Sequence, residues 1–234
     1  MEKHVWESAD IDVVPLPIFV VSAKTGGQVL GAFDGERMVG FTLAFPAFRG
    51  RMRFLHSHMT AVVAEYQNRG IGRQLKLFQR QDALERGLRL VEWTFDPLEL
   101  RNAYFNLVRL GAIVRRYIPD CYGTTTSPLH ANLPTDRLVA EWWLASRRVR
   151  AIVAGRAAPA ALRRRGSEAR IFVPADIREL RYEQPDEAAR IQKRVRQEFQ
   201  HWLARNYAVT GIETTSEGSY YRLEPYARSL THTV

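Results

Sequence analysis

Six consecutive residues, Gln67-Asn68-Arg69-Gly70-Ile71-Gly72, have the composition of an anion cradle. Gly70 and Gly72 carry no Cβ to keep a phosphate off the main chain, and residues 73–86 read as a helix whose first N–H groups and positive dipole end face the turn. Backbone N–H groups from Gln67 through Arg73 would then hold a pyrophosphate. Two common phosphate loops do not fit: no Lys-Ser/Thr pair follows the glycines, and the three-glycine dinucleotide fingerprint is incomplete. A surface Asn-Arg-Gly turn ahead of any helix would look the same, so the neighbouring elements carry the weight.

The stretch before the turn, residues 54–63, reads as a strand. Under strict alternation His56, His58, Thr60 and Val62 share one face, and Ser57, Met59, Ala61 and Val63 the other. Imidazole titrates near neutrality, so His56 and His58 are candidate proton acceptors; a histidine satisfied by a nearby main-chain group is the alternative for each.

Upstream, Val5 and Trp6 read as a helix end, and Pro15 and Pro17 as an extended crossing. Residues 28–33 and 38–45 form a hairpin about Asp34-Gly35, followed by a basic loop at 49–53. Downstream, Ile71, Leu75 and Phe78 repeat at helical spacing as far as a left-handed C-cap at Gly87. Residues 88–95 make a fourth strand. Asp96-Pro97-Leu98-Glu99 then offers an N-cap, a first-turn proline and a capping-box acid for a second helix that stops at Gly111. Residues 113–118 and 138–145 are further strands, joined by a polar loop at 123–134. Strands interrupted by two crossover helices imply an α/β (α+β) fold: a mixed, mostly antiparallel sheet flanked by helices.

At 234 residues and 46% hydrophobic the chain can bury a full core. Its one cysteine, Cys121, excludes an internal disulfide framework and a four-cysteine zinc site; no metal is expected, and a cytoplasmic protein is. The apolar run at 13–21 is broken by two prolines and too short to span a bilayer, so no membrane partner is expected. Of the +9 net charge most is C-terminal, which raises nucleic acid as a partner. No nucleic-acid motif accompanies it, and 30 of the 34 basic residues are Arg, so that partner is not expected.

Three segments follow: a catalytic domain at 1–145, a basic connector at 146–168, and an annex at 169–234. The annex carries a helix over 186–205 with Ala188, Ile191, Val195, Phe199 and Trp202 on one face, then a hairpin about Glu217-Gly218. It needs a surface to cover, either the first domain or a second copy in a homodimer.

The pattern Gln-x-x-Gly-x-Gly after a strand ending Ala61-Val62-Val63-Ala64-Glu65-Tyr66 resembles the acyl-CoA loop of the GNAT N-acyltransferase superfamily. Asn102, eight residues before Leu110-Gly111, resembles the superfamily's second motif, where an Asn faces the pantetheine arm. The longer string Trp93-Thr94-Phe95-Asp96-Pro97-Leu98, with Arg101-Asn102-Ala103-Tyr104-Phe105-Asn106 and Leu110-Gly111-Ala112, resembles a branch of predicted GNAT proteins, some linked to succinyl-CoA-dependent acylation of amino acids. The resemblance spans about residues 28–145. It departs from the family pattern in two places: the usual first strand and long first helix are barely represented, and the position that usually carries the acidic Tyr is Leu107.

The resemblance implies acetyl-CoA or succinyl-CoA as co-substrate. Ala61 and Val62 would pair with the pantetheine amides, and a small-molecule primary amine, an amino acid among the candidates, would be the acceptor. His56 resembles by position the family's strand carboxylate and is the favoured base; Tyr104 is the nearest phenol to serve as acid. Arg101, Arg115 and Arg116 are candidates to hold a substrate carboxylate. Two rival readings stand beside the enzyme: a CoA-fold module without turnover, and an Arg-rich nucleic-acid binder.

Overall fold

The computed structural model describes residues 13–123, 131, 133–157 and 168–226. The expected helix end at Val5-Trp6, most of the polar loop, and the Ala158-Pro159-Ala160-Ala161 stretch with Arg163, Arg164 and Arg165 lie outside them. The chain divides into two compact units, one ending at Trp93 and one beginning at Thr94.

The first unit opens on a helix, α1 (Leu16–Lys24), where an extended crossing was expected. Proline is at home in a first helical turn, because its missing N–H would have no intrahelical acceptor there; Pro15 is the N-cap and Pro17 follows within the turn. Ser22 fixes the helix to the sheet by donating to Ala44 O at 2.7 Å. Strands β1 (Gln28–Asp34), β2 (Arg37–Arg49) and β3 (Met52–Val62) form an antiparallel meander. The expected basic loop is only a turn between β2 and β3, since the ladder runs on to Arg49↔Met52. Phe41, Leu43 and Ala61 make a core on the α1 side, with Val14, Phe19, Phe45 and Met59 packed on it.

On the opposite face lies α2 (Ile71–Glu85), which leads to β4 (Leu90–Phe95), parallel to β3. Its inward face is not the expected Ile71–Leu75–Phe78 stripe, for Phe78 is 60% exposed; Leu75, Lys76, Gln79 and Ala83 are buried instead. Two polar residues can face inward because other elements meet them. Lys76 Nζ lies 2.8 Å from Ser57 Oγ and 3.1 Å from Gln79 Oε1, and 4.2 Å from the centre of the Trp93 ring.

The second unit begins with α3 (Leu100–Tyr104), which tightens into no cap but widens into a π-helical turn at Phe105–Arg109. Asp96 was expected as N-cap. It instead accepts from Leu98 N–H at 2.8 Å in a turn of its own, and the helix starts four residues later. Strands β5 (Ile113–Ile118) and β6 (Arg137–Trp143) pair antiparallel. Helix α4 (Arg147–Val153), capped by Ser146, stands within the expected connector. Then come β7 (Ala169–Pro174), α5 (Ile177–Glu183), α6 (Pro185–Ala204), β8 (Tyr207–Thr214) and β9 (Gly218–Pro225).

The strand order here is β6-β5-β8-β9-β7, so the C-terminal strands continue the sheet of β5. Helix α6 buries Ala188, Ile191, Gln192, Val195 and Phe199, the face its periodicity predicts except that Trp202 is only half-buried and Gln192 joins it by donating to Pro134 O. Phe199 packs against the rings of Tyr117 and Tyr221. Arg196 clamps the fully buried Asp136 with two bonds of 2.7 Å. The whole is a mixed α/β fold with mostly antiparallel strands and flanking helices.

Candidate active site

The glycine turn follows β3 through one 3₁₀ turn, Ala64–Tyr66. Asn68 sits in the left-handed region at φ 59° and Gly70 at φ 85°, where a β-carbon would be strained. At Gly72 the backbone is helical, and a β-carbon would meet only Val62 Cγ2, at 3.8 Å. Nothing within the chain therefore demands glycine at 72, and the bare main chain there leaves room for a ligand to approach closely. Gln74 N–H makes its bond to Gly70 O at 3.0 Å. The N–H groups of Ile71 and Gly72 precede it and by helix geometry have no intrahelical acceptor. Gly70 has no side chain to cap them, and no acid lies in the first turn of α2. A positive helix end whose N-cap residue is a glycine and whose first turn holds no acid suits an external anion, so the residues present fit a pyrophosphate. The turn's outer side is pinned: Arg69 and Arg37 both stack on Tyr66, Tyr66 donates to Asp34, and Arg37 pairs with Glu65.

Strand β3 meets β4 at only two register pairs, Leu55↔Val91 and His56↔Glu92, although both strands run on. Its main chain beyond His56 is thus turned to β2 on one side only. Val63 N–H bonds Val39 O, so antiparallel alternation directs the amide and carbonyl of Val62 away from β2. Gln67 Nε2 reaches that carbonyl at 3.1 Å, tying turn to strand. The same alternation turns the main chain of Ala61 toward β2.

The expected faces of β3 need correcting. Leu43 pairs with Met59 but Ala44 with Ser57, which leaves His58 as an extra residue and makes a β-bulge. Beyond the bulge the phase is reversed. Ser57 shares the α2 side with Thr60 and Val62, as the contacts to Lys76, Thr42 and Gly72 show. His56 and His58 lie on the α1 side with Phe45, their ring centres 6.5 Å apart, and His58 5.6 Å from Phe45. His56 is half-buried and His58 exposed.

A buried carboxylate that sequence reasoning passed over lies on the same face. Glu92 is 3% exposed and its Oε2 meets Arg49 NH2 at 2.6 Å. Its signal was a charged residue in the middle of the apolar strand Leu90–Phe95.

In the second unit Arg101, Asn102 and Tyr104 are exposed on α3, and Leu107 is fully buried. Arg148 donates to the carbonyls of Leu107, Gly111 and Thr210, bracing the π turn. The Asp-Pro-Leu string is held by later residues: Arg181, 3% exposed, pairs with Asp96 at 2.7 Å and Glu99 at 3.3 Å, and Tyr221 donates to Pro97 O. Of the substrate-carboxylate candidates, Arg115 is engaged by the buried Glu141, with Nε at 2.9 Å, and Arg116 lies 3.8 Å from the same group. Cys121 is half-buried and burial pushes its thiol up, the profile of an inert thiol. Among the described residues no group of metal-binding side chains occurs, and no helix is long and apolar enough to cross a membrane.

Residues 3–105 match the sequence model of the Acetyltransferase (GNAT) family. The match covers less than half of the chain and makes this stretch similar to GNAT acetyltransferase domains. The match takes in β1 to β4, the glycine turn and α3, and stops short of Gly111. No curated protein matches the chain. Similar solved structures include a GNAT family acetyltransferase from Elizabethkingia anophelis with acetyl-CoA bound, at 14% identity over 61% of this chain and 90% of that one, TM-score 0.45. The ribosomal-protein-S18-alanine N-acetyltransferase from Escherichia coli gives 15% identity over 59% and 82%, TM-score 0.46. Arabidopsis thaliana Naa50 in complex with a bisubstrate analogue gives 15% over 56% and 82%, TM-score 0.46. Likeness at this level says nothing of this chain's own substrate.

Proposed function

We propose that this protein is a GNAT N-acyltransferase that moves an acetyl or succinyl group from coenzyme A to a primary amine, with an amino acid as the expected acceptor. The observation that carries the reading is the departure of β3 from β4 after His56↔Glu92, which delivers an outward-turned Val62 main chain directly into the glycine turn. Acyl-CoA supplies the thioester whose carbonyl carbon the amine attacks. Main-chain N–H groups of Gln67 to Arg73, around Asn68, Arg69, Gly70, Ile71 and Gly72, would hold its pyrophosphate. The Val62 main chain would align its amide arm, and Asn102 is the family's second contact.

His56 would take the proton that the ammonium nucleophile must lose, with His58 beside it; Tyr104 would return a proton to the departing thiolate. Arg101 is the cation best suited to a substrate carboxylate, because recruiting Arg115 or Arg116 would take an ion-pair partner from the buried Glu141. A cytoplasmic setting and a homodimer belong to the same proposal.

A turnover-free CoA-binding module is the second reading, favoured by the burial of Leu107 where the family's phenol usually stands. Release of free CoA over a panel of amines separates the two, since a binding module holds CoA without releasing it in step with amine. With a simple amino acid, succinyl-CoA should outperform acetyl-CoA, and Arg101→Met should narrow that preference while sparing acetyl transfer. A better rate with acetyl-CoA, or an equal loss for both donors, refutes the succinyl reading.

A further inference from the structure

The last register pair between the parallel strands sets two ionisable residues side by side. His56 is opposite Glu92, and registered residues of neighbouring strands stand about 4.8 Å apart with their side chains on one face. That face is fixed independently. Leu55 and Val91, the adjacent pair, are fully buried, and Ser57 and Trp93, one residue beyond His56 and Glu92, both touch Lys76 of α2. His56 and Glu92 therefore both point to the α1 side. Arg49 confirms it from β2: its guanidinium stacks on Phe54, two residues before His56, and meets Glu92 Oε2.

A carboxylate that is 3% exposed is expensive to keep charged, and Arg49, whose side chain is 41% exposed, offsets that cost at the solvent edge. The groups facing His56 are then Arg49 from β2, His58 from its own strand and Glu92 from β4. Helix α1 sends the apolar Phe19 to the sheet.

We propose that Glu92 is a positioning residue that orients the His56 imidazole, and that Arg49 anchors Glu92 for this purpose. A carboxylate accepting from one ring nitrogen leaves the other as the acceptor, presented toward the ammonium that is to be deprotonated. It also stabilises the imidazolium formed when His56 takes the proton, and Arg49 holds the carboxylate in place. This inference rests on the reading of His56 as the base, but its first test does not.

The test is the titration of His56 by NMR in the full-length protein, the resonance being assigned by its loss in His56→Ala. Glu92→Gln keeps the shape and removes the charge. The expected result is an imidazole that titrates about one pH unit lower in Glu92→Gln, because an opposite charge within about 4–6 Å favours the charged form. Arg49→Met should move it upward. An unchanged His56 titration in Glu92→Gln overturns the proposal whatever the activity.

The second readout is kinetic. If His56→Ala abolishes acyl transfer, Glu92→Gln should lower kcat about tenfold or more with the KM for acyl-CoA unchanged, and should shift the acid limb of the pH profile downward. Glu92→Asp should recover part of the rate. A purely structural Glu92 would lower thermal stability and leave that limb in place. If His56→Ala is fully active while the titration shift is present, the pairing stands and the base assignment alone fails.

Discussion

Lys76 gives the most quantitative test of the packing. It is 3% exposed, with Ser57 Oγ, Gln79 Oε1 and the Trp93 ring as its neighbours. Burial drives its ammonium down from the ordinary 10.5 to about 7. Between those two values the unfolded chain binds a proton that the native state has released, so this group makes stability rise with pH. Below pH 7 the native state carries the full burden of the buried charge. At about 1.4 kcal/mol per pH unit, the span from 10.5 to about 7 corresponds to an upper bound of about 5 kcal/mol.

Lys76→Met keeps the volume and removes the charge. It also leaves the Ser57 hydroxyl and the Gln79 carbonyl short of a donor, a loss of about 1–3 kcal/mol that does not depend on pH. The variant should therefore exceed the wild type by a few kcal/mol at pH 6, and that advantage should shrink by about 1.4 kcal/mol per unit as pH passes from 7 to 9. Urea unfolding of both proteins at matched ionic strength measures the difference, in which the titration of every other group cancels. A difference that stays constant from pH 6 to 9 would refute a buried, neutralising Lys76.

Three further outcomes bear on the site. Gly72→Glu should abolish acetyl-CoA binding while the protein stays folded, because the backbone there is helical and the space beside it lies open to Val62 Cγ2 at 3.8 Å; undiminished affinity by calorimetry would remove the cradle, and Gly70→Glu adds backbone strain at φ 85° to the same loss. His56→Ala should slow acyl transfer about 10²-fold, and His58→Ala less, with CoA affinity retained in both; equal wild-type rates across pH 6 to 9 would point to deprotonation through water. Arg181→Met should destabilise the second unit by about 3–5 kcal/mol in thermal or urea unfolding, since it strands Asp96 and Glu99, and Asp96→Asn on top should recover part of it; additive losses would show that the pair is not coupled.

What could be read from sequence is what the chain settles locally. The glycine turn, the left-handed Gly87 and Gly111, the strand Ile113–Ile118 and the hairpin about Glu217-Gly218 are all written in adjacent residues, and each stands within a residue or two of its expected place. The errors occur where a distant partner decides. Pro15 and Pro17 break a strand or start a helix equally well, and Ser22 reaching Ala44 settles it for a helix. The apolar count of α2 pointed to Phe78, yet Lys76 and Gln79 face inward because Ser57 and Trp93 receive the Lys76 ammonium and Lys76 in turn donates to Gln79 Oε1. Strand β7 and helix α5 were missed altogether, for their partners β9 and the Asp96 turn come from far along the chain.

The candidate chemistry shows the same division, and its misplaced phase on β3 comes from a single extra residue. A bulge cannot be seen in β3 alone, because it exists only against the register of β2; once His58 is the residue left over, His56 and His58 no longer share a face with Thr60 and Val62. A π turn does to a helix what a bulge does to a strand. The family's spacing, counted back from Gly111, falls on Leu107 inside the π turn, where Leu110 N–H bonds Phe105 O and Ala112 N–H bonds Asn106 O. Leu107 is wholly buried, while Tyr104, one turn earlier, keeps 44% of its surface exposed. Spacing alone thus could not say which side chains around α3 are accessible, and there Tyr104 presents its ring to solvent while Leu107 does not.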